Sequence, residues 1–499
     1  MVAGLFYLAV SAWGYGYVGF PLDDAWIHQT YARNLAESGQ LAFVTGVPSA
    51  GSTAPLWSLL LGAGYWLRLP YRAWTYGLGI LFLGLTGWTV NRLAQRLFPR
   101  RPAVGLWAGL FCLLEWHLVW AAVSGMETML FVWLSALLVE RYLAAQPVST
   151  RRALRLGLIG GLLILTRPEG AGLVGLLGLD LAWRWRRQSP RPGWGWLLAR
   201  WLAIGVGAAL LLGPYVLFHL RLTGMPFPST FYAKQAEYGQ ILRDFPLWWR
   251  LFGNFGPPVE TVQGVFRVIF IGPQLLLLPG LAFAAWLSVT ERRGELWFIW
   301  VWWPGYLLLY ALRLPVTYQH GRYQMPVIIW VVLLGVWGTA RLVAAPQKAS
   351  LLRRVASRAL VVSLGLLVVL FVGVGAQAYG RDVRFIETEM VAAARWLHLN
   401  TPPDAVVAAH DIGAIGYFSR RPLIDLAGLV TPEVIPIIRD QAALWHFMQA
   451  YGAEYLVTFP SWYPQLSQNP ALSRQFVTDS PWARQLGGDN MTVYRIIQP

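Results

Sequence analysis

Asp23 and Asp24 are adjacent carboxylates directly behind the first apolar segment of a chain in which 56% of residues are hydrophobic. A carboxylate at a bilayer edge is costly unless it is paired or at work. One of the two could act as a general base toward a hydroxyl nucleophile, with the other orienting it or holding the acceptor. The pair could also bind a divalent cation, Mg or Mn, although two neighbouring acids do not define a coordination set. The competing structural explanation is a solvated loop, or Asp24 as the N-cap of the helix that follows. That stretch, AWIHQTYARNLAESG, predicts a short amphipathic helix with Ile27, Tyr31 and Leu35 on one face. Such a helix is expected to lie flat on the membrane and hold both acids over a cavity.

Other polar residues fall at the ends of apolar runs. Phe43 to Trp57 predicts a tight loop from Gly46, Pro48, Gly51 and Pro55, with Ser49, Ser52 and Thr53 free to donate to hydroxyls or phosphate. Glu127 opens an apolar helix, where Ser124 and Glu127 could instead form a capping box. Arg167 and Glu169 sit between two apolar helices, so Arg167 must face water, a carboxylate or a phosphate. An Arg167–Glu169 or Arg167–Glu127 pair would satisfy that need without a ligand. Lys234 follows Tyr232 on a long loop and suits a phosphate as a point charge. Arg322 with Tyr323 suits a diphosphate or lipid-phosphate clamp, and His320 could donate to the same group. Snorkelling and interfacial anchoring would explain Arg322 equally.

Composition removes several function classes. The 499 residues carry 40 Lys/Arg against 24 Asp/Glu, a net charge of +16. Residues 1–379 hold 31 Lys/Arg and 13 Asp/Glu, whereas residues 380–499 hold 9 and 11. The excess therefore lies in short loops between apolar segments, as the positive-inside bias produces, and nucleic acid is not an expected partner. Cys112 is the one cysteine and permits neither an internal disulfide nor a thiolate metal site. His410, Asp411 and Asp425 have no GxSxG, HExxH or zinc-ligand context, so fold, docking or acceptor binding is their expected role. No P-loop occurs, which fits a donor carried on a lipid.

The elements that must position these residues are apolar helices. Candidate spans are roughly 2–20, 54–69, 73–91, 103–122, 126–143, 156–166, 169–184, 197–220, 264–289, 295–312, 323–343 and 358–378. The expectation is a polytopic α-helical membrane protein with about 11–13 transmembrane helices. Arg151-Arg152 with Arg155, Arg184 to Arg191, Arg292-Arg293, and Lys348 with Arg353-Arg354 should be cytoplasmic. Loops 21–53 and 221–262 then face outward, as does the tail. Counting sides leaves Arg92 to Arg101 outside as well, which a half-spanning helix within 103–122 would repair. A membrane domain, 1–379, precedes a small extracytoplasmic α/β domain, 380–499. There, 384–399 is helix-like, AVVAAHDIGAIGYFS predicts a strand, a turn and then a strand or helix start, and YLVTF and MTVYRI predict further strands.

The series PLDDAWIHQTYARNLAESGQ, GSTAPLW, SGMETMLF, LTRPEG, STFYAK and HGRYQMP resembles membrane glycosyltransferases of the GT-C superfamily. The resemblance is nearest the branch of the mycobacterial terminal arabinofuranosyltransferase (AftB), whose opening motif reads like DDAYISFRYARN. Here Trp26 and Gln29 depart from that pattern, while Tyr31, Ala32, Arg33 and Asn34 keep it. The resemblance implies a GT-C fold and transfer of a sugar, arabinofuranose in that branch, from a polyprenyl-phosphate donor to a glycan or glycolipid acceptor outside the cytoplasm. It places the base at Asp23 or Asp24. Arg322, Lys234, Arg167 and His320 would then hold the donor phosphate, with Glu127, Glu169, Tyr232, Trp26, His28, Tyr323, Ser52 and Thr53 in support. A prokaryotic plasma membrane is the expected setting, with membrane lipids as further partners. A lipid-linked glycan transporter or polymerase is the alternative, because it would share the apolar bulk and phosphate contacts.

Overall fold

Every apolar segment expected to span the membrane contains helix in the computed structural model, which describes residues 2–255, 262–344, 350–485 and 488–497, but 103–122 is split at Glu115 and 264–289 between Val268 and Pro273. Lys348 and positions 256–261 of the 221–262 loop lie outside the described residues. Five helical stretches are long and apolar enough to cross a bilayer by themselves: Tyr71–Leu97, Trp194–Thr223, Pro273–Thr290, Tyr318–Val343 and Leu351–Asn400. Pro102–Leu114 and Trp116–Val123 together make a sixth, bent by 54°. The remaining apolar helices, such as Pro55–Trp66 and Gly170–Arg186, are shorter than the roughly 20 residues a hydrocarbon core requires. The chain is a multi-pass membrane protein.

Burial sorts these helices into inner and peripheral ones. Of the most apolar 18-residue stretch of Tyr318–Val343, 78% of residues are buried inside the bundle, against 6% for the corresponding stretch of Trp194–Thr223. Leu198, Leu202, Leu210 and Leu217 of the latter are exposed apolar side chains, the surface a lipid tail would cover. The bend at 103–122 has a local cause. Glu115 is fully buried, caps Trp116–Val123 by accepting from the Leu118 amide at 3.0 Å, and pairs with His117 Nδ1 at 2.7 Å. Those contacts end one helix and start another. The break falls in the segment where the charge pattern called for a half-spanning helix. Close helix contacts use glycine: a Cβ at Gly338 would stand 1.8 Å from the Gly280 carbonyl oxygen.

Leu351–Ile386 runs without interruption through positions 379 and 380, where the composition changes. A π-helical turn, Glu387–Val391, leads to helix Ala392–Asn400, which stops before Pro402. Beyond it lies a five-stranded sheet in the order Leu423–Asp425, Val407–Ala409, Tyr455–Thr458, Thr492–Ile496, Leu472–Val477. The first three strands are parallel and the last two join antiparallel. The three strands expected from sequence are present. Leu423–Asp425 is too short, and Leu472–Val477 too exposed and polar, to carry a strand pattern.

The helix after the two aspartates spans Asp24–Ser38 and ends at Gly39 in the left-handed conformation. It does not lie flat on a lipid surface. Trp26, His28, Gln29, Thr30, Tyr31, Arg33 and Asn34 are all buried, which leaves no broad wet face. It is wedged between the bundle and the C-terminal sheet region. Gln29 donates to Thr75 at 2.8 Å, and Arg33 donates to the Tyr417 carbonyl at 2.7 Å.

Gly338→Ala should lower the thermal stability of the detergent-solubilised protein by about 1–3 kcal/mol, because a backbone oxygen cannot move aside as a side chain can. Gly365, which has nothing within 4 Å of an added Cβ, should tolerate alanine without loss in the same unfolding measurement.

Candidate active site

Successive helical residues are rotated by about 100°, so neighbours at a helix start point in different directions. Asp24 is the first residue of its helix, and its carboxylate enters a cavity of about 310 Å³. Asp23 faces the other way. Its two oxygens accept from the Gly413 amide at 2.6 Å and the Ala414 amide at 2.7 Å. It thereby fastens the helix to the C-terminal region, and a Cβ at Gly413 would stand 2.0 Å from the Asp23 carbonyl oxygen.

Asp24 Oδ2 accepts from Arg322 Nη2 and lies 3.9 Å from Lys234 Nζ. Arg322 reaches the cavity because the chain before it turns sharply. Gln319, His320 and Gly321 all have positive φ, at 53°, 59° and 70°. For the two non-glycine residues this costs roughly 1–2 kcal/mol each, a strain that gathers at functional sites. Lys234 projects from helix Ser229–Asp244 and donates to the Tyr323 hydroxyl at 2.5 Å.

Arg167 terminates helix Thr150–Thr166 in extended geometry, as a residue before proline should. Its Nε lies 3.5 Å from Glu127, whose other oxygen lies 3.3 Å from His28 Nε2. Glu127 therefore joins an ionic network and does not complete a capping box; Ser124 Oγ accepts from the Met126 amide instead. Glu169 accepts from the Tyr310 hydroxyl, so Arg167 pairs with Glu127 across the cavity and not with its near neighbour. The Tyr323 ring collects three cations: Arg322 at 4.7 Å, Lys234 at 5.2 Å and Arg167 at 5.3 Å from its centroid.

Ser52 and Thr53 line the same cavity. Their loop is held by Thr230 Oγ1 donating to the Gly51 carbonyl at 2.6 Å and by the Ser229 amide donating to Ala50 at 3.0 Å. Gly51 is required there, since a Cβ would stand 2.5 Å from the Leu429 carbonyl oxygen. Leu429 and Val430 bring the C-terminal region into the wall, and Ile27, Met126, Phe231 and Leu309 make the rest of it apolar.

The cavity thus faces Arg167, Lys234, Arg313 and Arg322 with Asp24, Glu127 and Glu169, one cation in excess. Arg322 Nε and Nη1, Arg167 Nη1 and Ser52 Oγ are buried and have no hydrogen-bond partner. These donors suit an anion with several oxygens.

Four sequence candidates do not line the cavity. Besides Asp23, these are Trp26, Tyr232 and His320. Trp26 is fully buried and packs on Phe20, Tyr417 and Phe418. His320 Nε2 pairs with Asp382 at 2.8 Å between the rings of Trp116 and Trp120. Tyr232 packs against Phe231. Sequence reasoning missed Tyr310 and Arg313, which have no local motif to mark them, and did not single out Leu429 and Val430. A divalent cation finds no ligand set in the aspartate pair: Asp23 is occupied by amides and Asp24 by cations. Among the described residues no group of three or more His, Cys, Asp or Glu is arranged to hold a metal ion.

The family described as a domain of unknown function, DUF8728, matches residues 377–494. A comparison with curated protein sequences finds no match. Among solved structures, the chain is similar to ArnT from Cupriavidus metallidurans bound to undecaprenyl phosphate, at TM-score 0.60 and 16% identity over 99% of this chain and 96% of that one. It is also similar to the oligosaccharyltransferase AglB from Archaeoglobus fulgidus in complex with an inhibitory peptide and a dolichol-phosphate, at TM-score 0.58 and 12% identity over 92% and 68%. A mutant of the mycobacterial arabinofuranosyltransferase AftD matches at TM-score 0.55 and 16% identity over 100% and 41%. The chain has the fold of these GT-C membrane proteins.

Burial alone would raise the Asp24 carboxyl, but Arg322 and Lys234 outweigh it and hold the group below the usual carboxylate range. A depressed folded pKa stabilises the fold above the unfolded value of about 3.9, and that gain is lost as pH falls further. The stability difference between the wild type and Asp24→Asn should therefore be constant from pH 8 to about pH 5 and shrink below about pH 4. For Asp23, burial and then repulsion from Asp411 push the carboxyl upward against the two amides. Asp23→Ala should speed hydrogen exchange at Gly413 and Ala414 by tenfold or more, since each lost bond to a charged group is worth about 1.5–3 kcal/mol.

Proposed function

We propose that this chain is an inverting glycosyltransferase. It takes a sugar from a polyprenyl-phosphate donor and places it on a cell-envelope glycan or glycolipid hydroxyl at the outer face of a prokaryotic plasma membrane. The observation that carries this reading is the convergence of Asp24 with Arg322, Lys234 and Arg167 on one cavity with an apolar wall. A carboxylate beside a cluster of phosphate-seeking cations is what a base and a phosphate leaving group require together. The structures of fold neighbours bound to undecaprenyl phosphate and dolichol-phosphate support a lipid-borne donor.

The donor phosphate takes the place of Asp24 against Arg322, with Lys234 and Arg167 completing its neutralisation. Asp24 is then free to accept the proton of the acceptor hydroxyl. The acceptor oxygen attacks the anomeric carbon, the bond from that carbon to the phosphate oxygen breaks, and the phosphate leaves with the electron pair. One displacement inverts the anomeric centre. It needs Asp24 and the phosphate on opposite faces of the sugar. Asp23 acts by keeping Leu429 and Val430 in the wall and not by proton transfer. The AftB-like motif order makes arabinofuranose the first sugar to test. The basic loops at Arg151–Arg155 and Arg292-Arg293 support an outward-facing cavity.

Transfer from radiolabelled polyprenyl-phosphate arabinofuranose and mannose in proteoliposomes tests the reading. Asp24→Asn should lose about 10²–10⁴-fold in rate with its fold intact. Arg322→Gln should lose donor affinity as well as rate. Labelled lipid that changes sides with no label reaching a glycan would replace this reading with a transporter. Wild-type rates in Asp24→Asn would remove Asp24 as the base.

A further inference from the structure

A second cavity, of about 420 Å³, opens where helix Asp24–Ser38 meets the C-terminal region, lined by Arg33, Arg395, His398, Tyr417, Phe418 and Arg420. Arg33 lies nine residues along its helix from Asp24, about 13 Å at 1.5 Å per residue, so the two cavities flank the same helix. The second is cationic on every side. Arg33 is 6% exposed, stacks on the Tyr417 ring at 4.7 Å and donates through Nη1 to the Tyr417 carbonyl, while its Nε has no partner. Arg420 keeps a positive φ of 55° at the end of the π-helical turn Ile415–Ser419, a position where glycine is easier. Arg395 stands over the Phe418 ring at 5.3 Å, and its nearest carboxylate is Glu387 at 3.9 Å.

These charges repel one another and are only partly offset. Among the described residues neither Arg33 nor Arg420 forms an ion pair within 4.0 Å. Burial first, and the Arg420 charge second, make the Arg33 guanidinium less comfortable, with Glu37 one turn away giving partial relief. An unpaired buried guanidinium facing further guanidiniums is expensive in an apo state and is relieved by an anion. All three strong cations are arginines, whose planar forks match phosphate oxygens better than lysine would. Tyr417, Phe418 and the exposed Leu399 offer apolar surface to whatever carries the charge.

We propose that this cavity is a phosphate-binding site separate from the Asp24 cavity, formed by Arg33, Arg395 and Arg420 and occupied by a phosphate-bearing molecule. The carrier is either an anionic lipid headgroup or a soluble phosphate; both offer the same chemistry to the three guanidiniums. The site does not depend on the reaction assigned to the Asp24 cavity.

Isothermal titration of the full-length protein in neutral detergent, with inorganic phosphate in one arm and short-chain phosphatidylglycerol in the other, tests it. Short-chain phosphatidylcholine serves as the uncharged control. The Arg395→Gln, Arg420→Gln double variant changes only exposed rim residues and should weaken saturable binding at least tenfold. Arg322→Gln, in the Asp24 cavity, should leave that binding in place. Binding of phosphatidylglycerol alone assigns the site to a lipid headgroup, and binding of both assigns it to phosphate in any carrier. Arg420→Glu alone provides the same comparison if the double variant does not fold. Equal binding by wild type and rim variants, or no saturable binding in either arm, would overturn the proposal and leave the arginines as a clamp between helix and sheet.

Discussion

The contact between Asp24 and Arg322, 298 positions apart in sequence, is the constraint from which the rest of the site follows. Arg322 is 5% exposed, so its charge must be met inside the protein. Removing one partner of such a pair leaves an uncompensated buried charge, at a cost of about 3–5 kcal/mol. The pair therefore fixes the start of the Asp24–Ser38 helix against the turn at 319–321. Lys234 and Tyr323 close around the same point. A ligand that offers Arg322 a better partner than Asp24 can break this contact without leaving a bare charge. In the proposed reaction, donor binding and release of the base are one exchange.

Asp23 divides the labour differently. It neither touches the cavity nor pairs with a cation; it holds two backbone amides of the C-terminal region. The same few residues thus orient the chemical group and fasten the region that supplies Leu429 and Val430 to the wall. Arg33, farther along the helix, repeats the pattern from its other end. The helix is a strut between the bundle and the C-terminal region, which accounts for the burial of most of its polar side chains.

Apolar segments, charge distribution and the order of motifs in the sequence were enough to read the membrane class, the helix positions and the GT-C fold. Hydrophobicity over a segment is a local property, and the backbone in lipid has to satisfy its own hydrogen bonds there. Most of the charged residues that line the Asp24 cavity were legible too: Asp24, Lys234, Arg167, Arg322, Glu127 and Glu169 are charges at the ends of apolar runs, where burial without a partner is costly. That cost marks a position but does not name its partner.

Partner choice was decided only in three dimensions. Arg167 meets Glu127 and not Glu169, and His320 turns to Asp382. Asp23 and Asp24 separate because successive residues of a helix start diverge, whereas the sequence presents them as one pair. Trp26, placed by the resemblance among the supporting residues, is core, since its ring packs on Phe20, Tyr417 and Phe418. Tyr310, Leu429 and Val430 were not singled out because they reach the cavity through packing between distant segments. The sequence determined which residues could not be left alone. Their tertiary neighbours decided which face the cavity and which hold the fold, since charge pairing depends on distance in space and not along the chain.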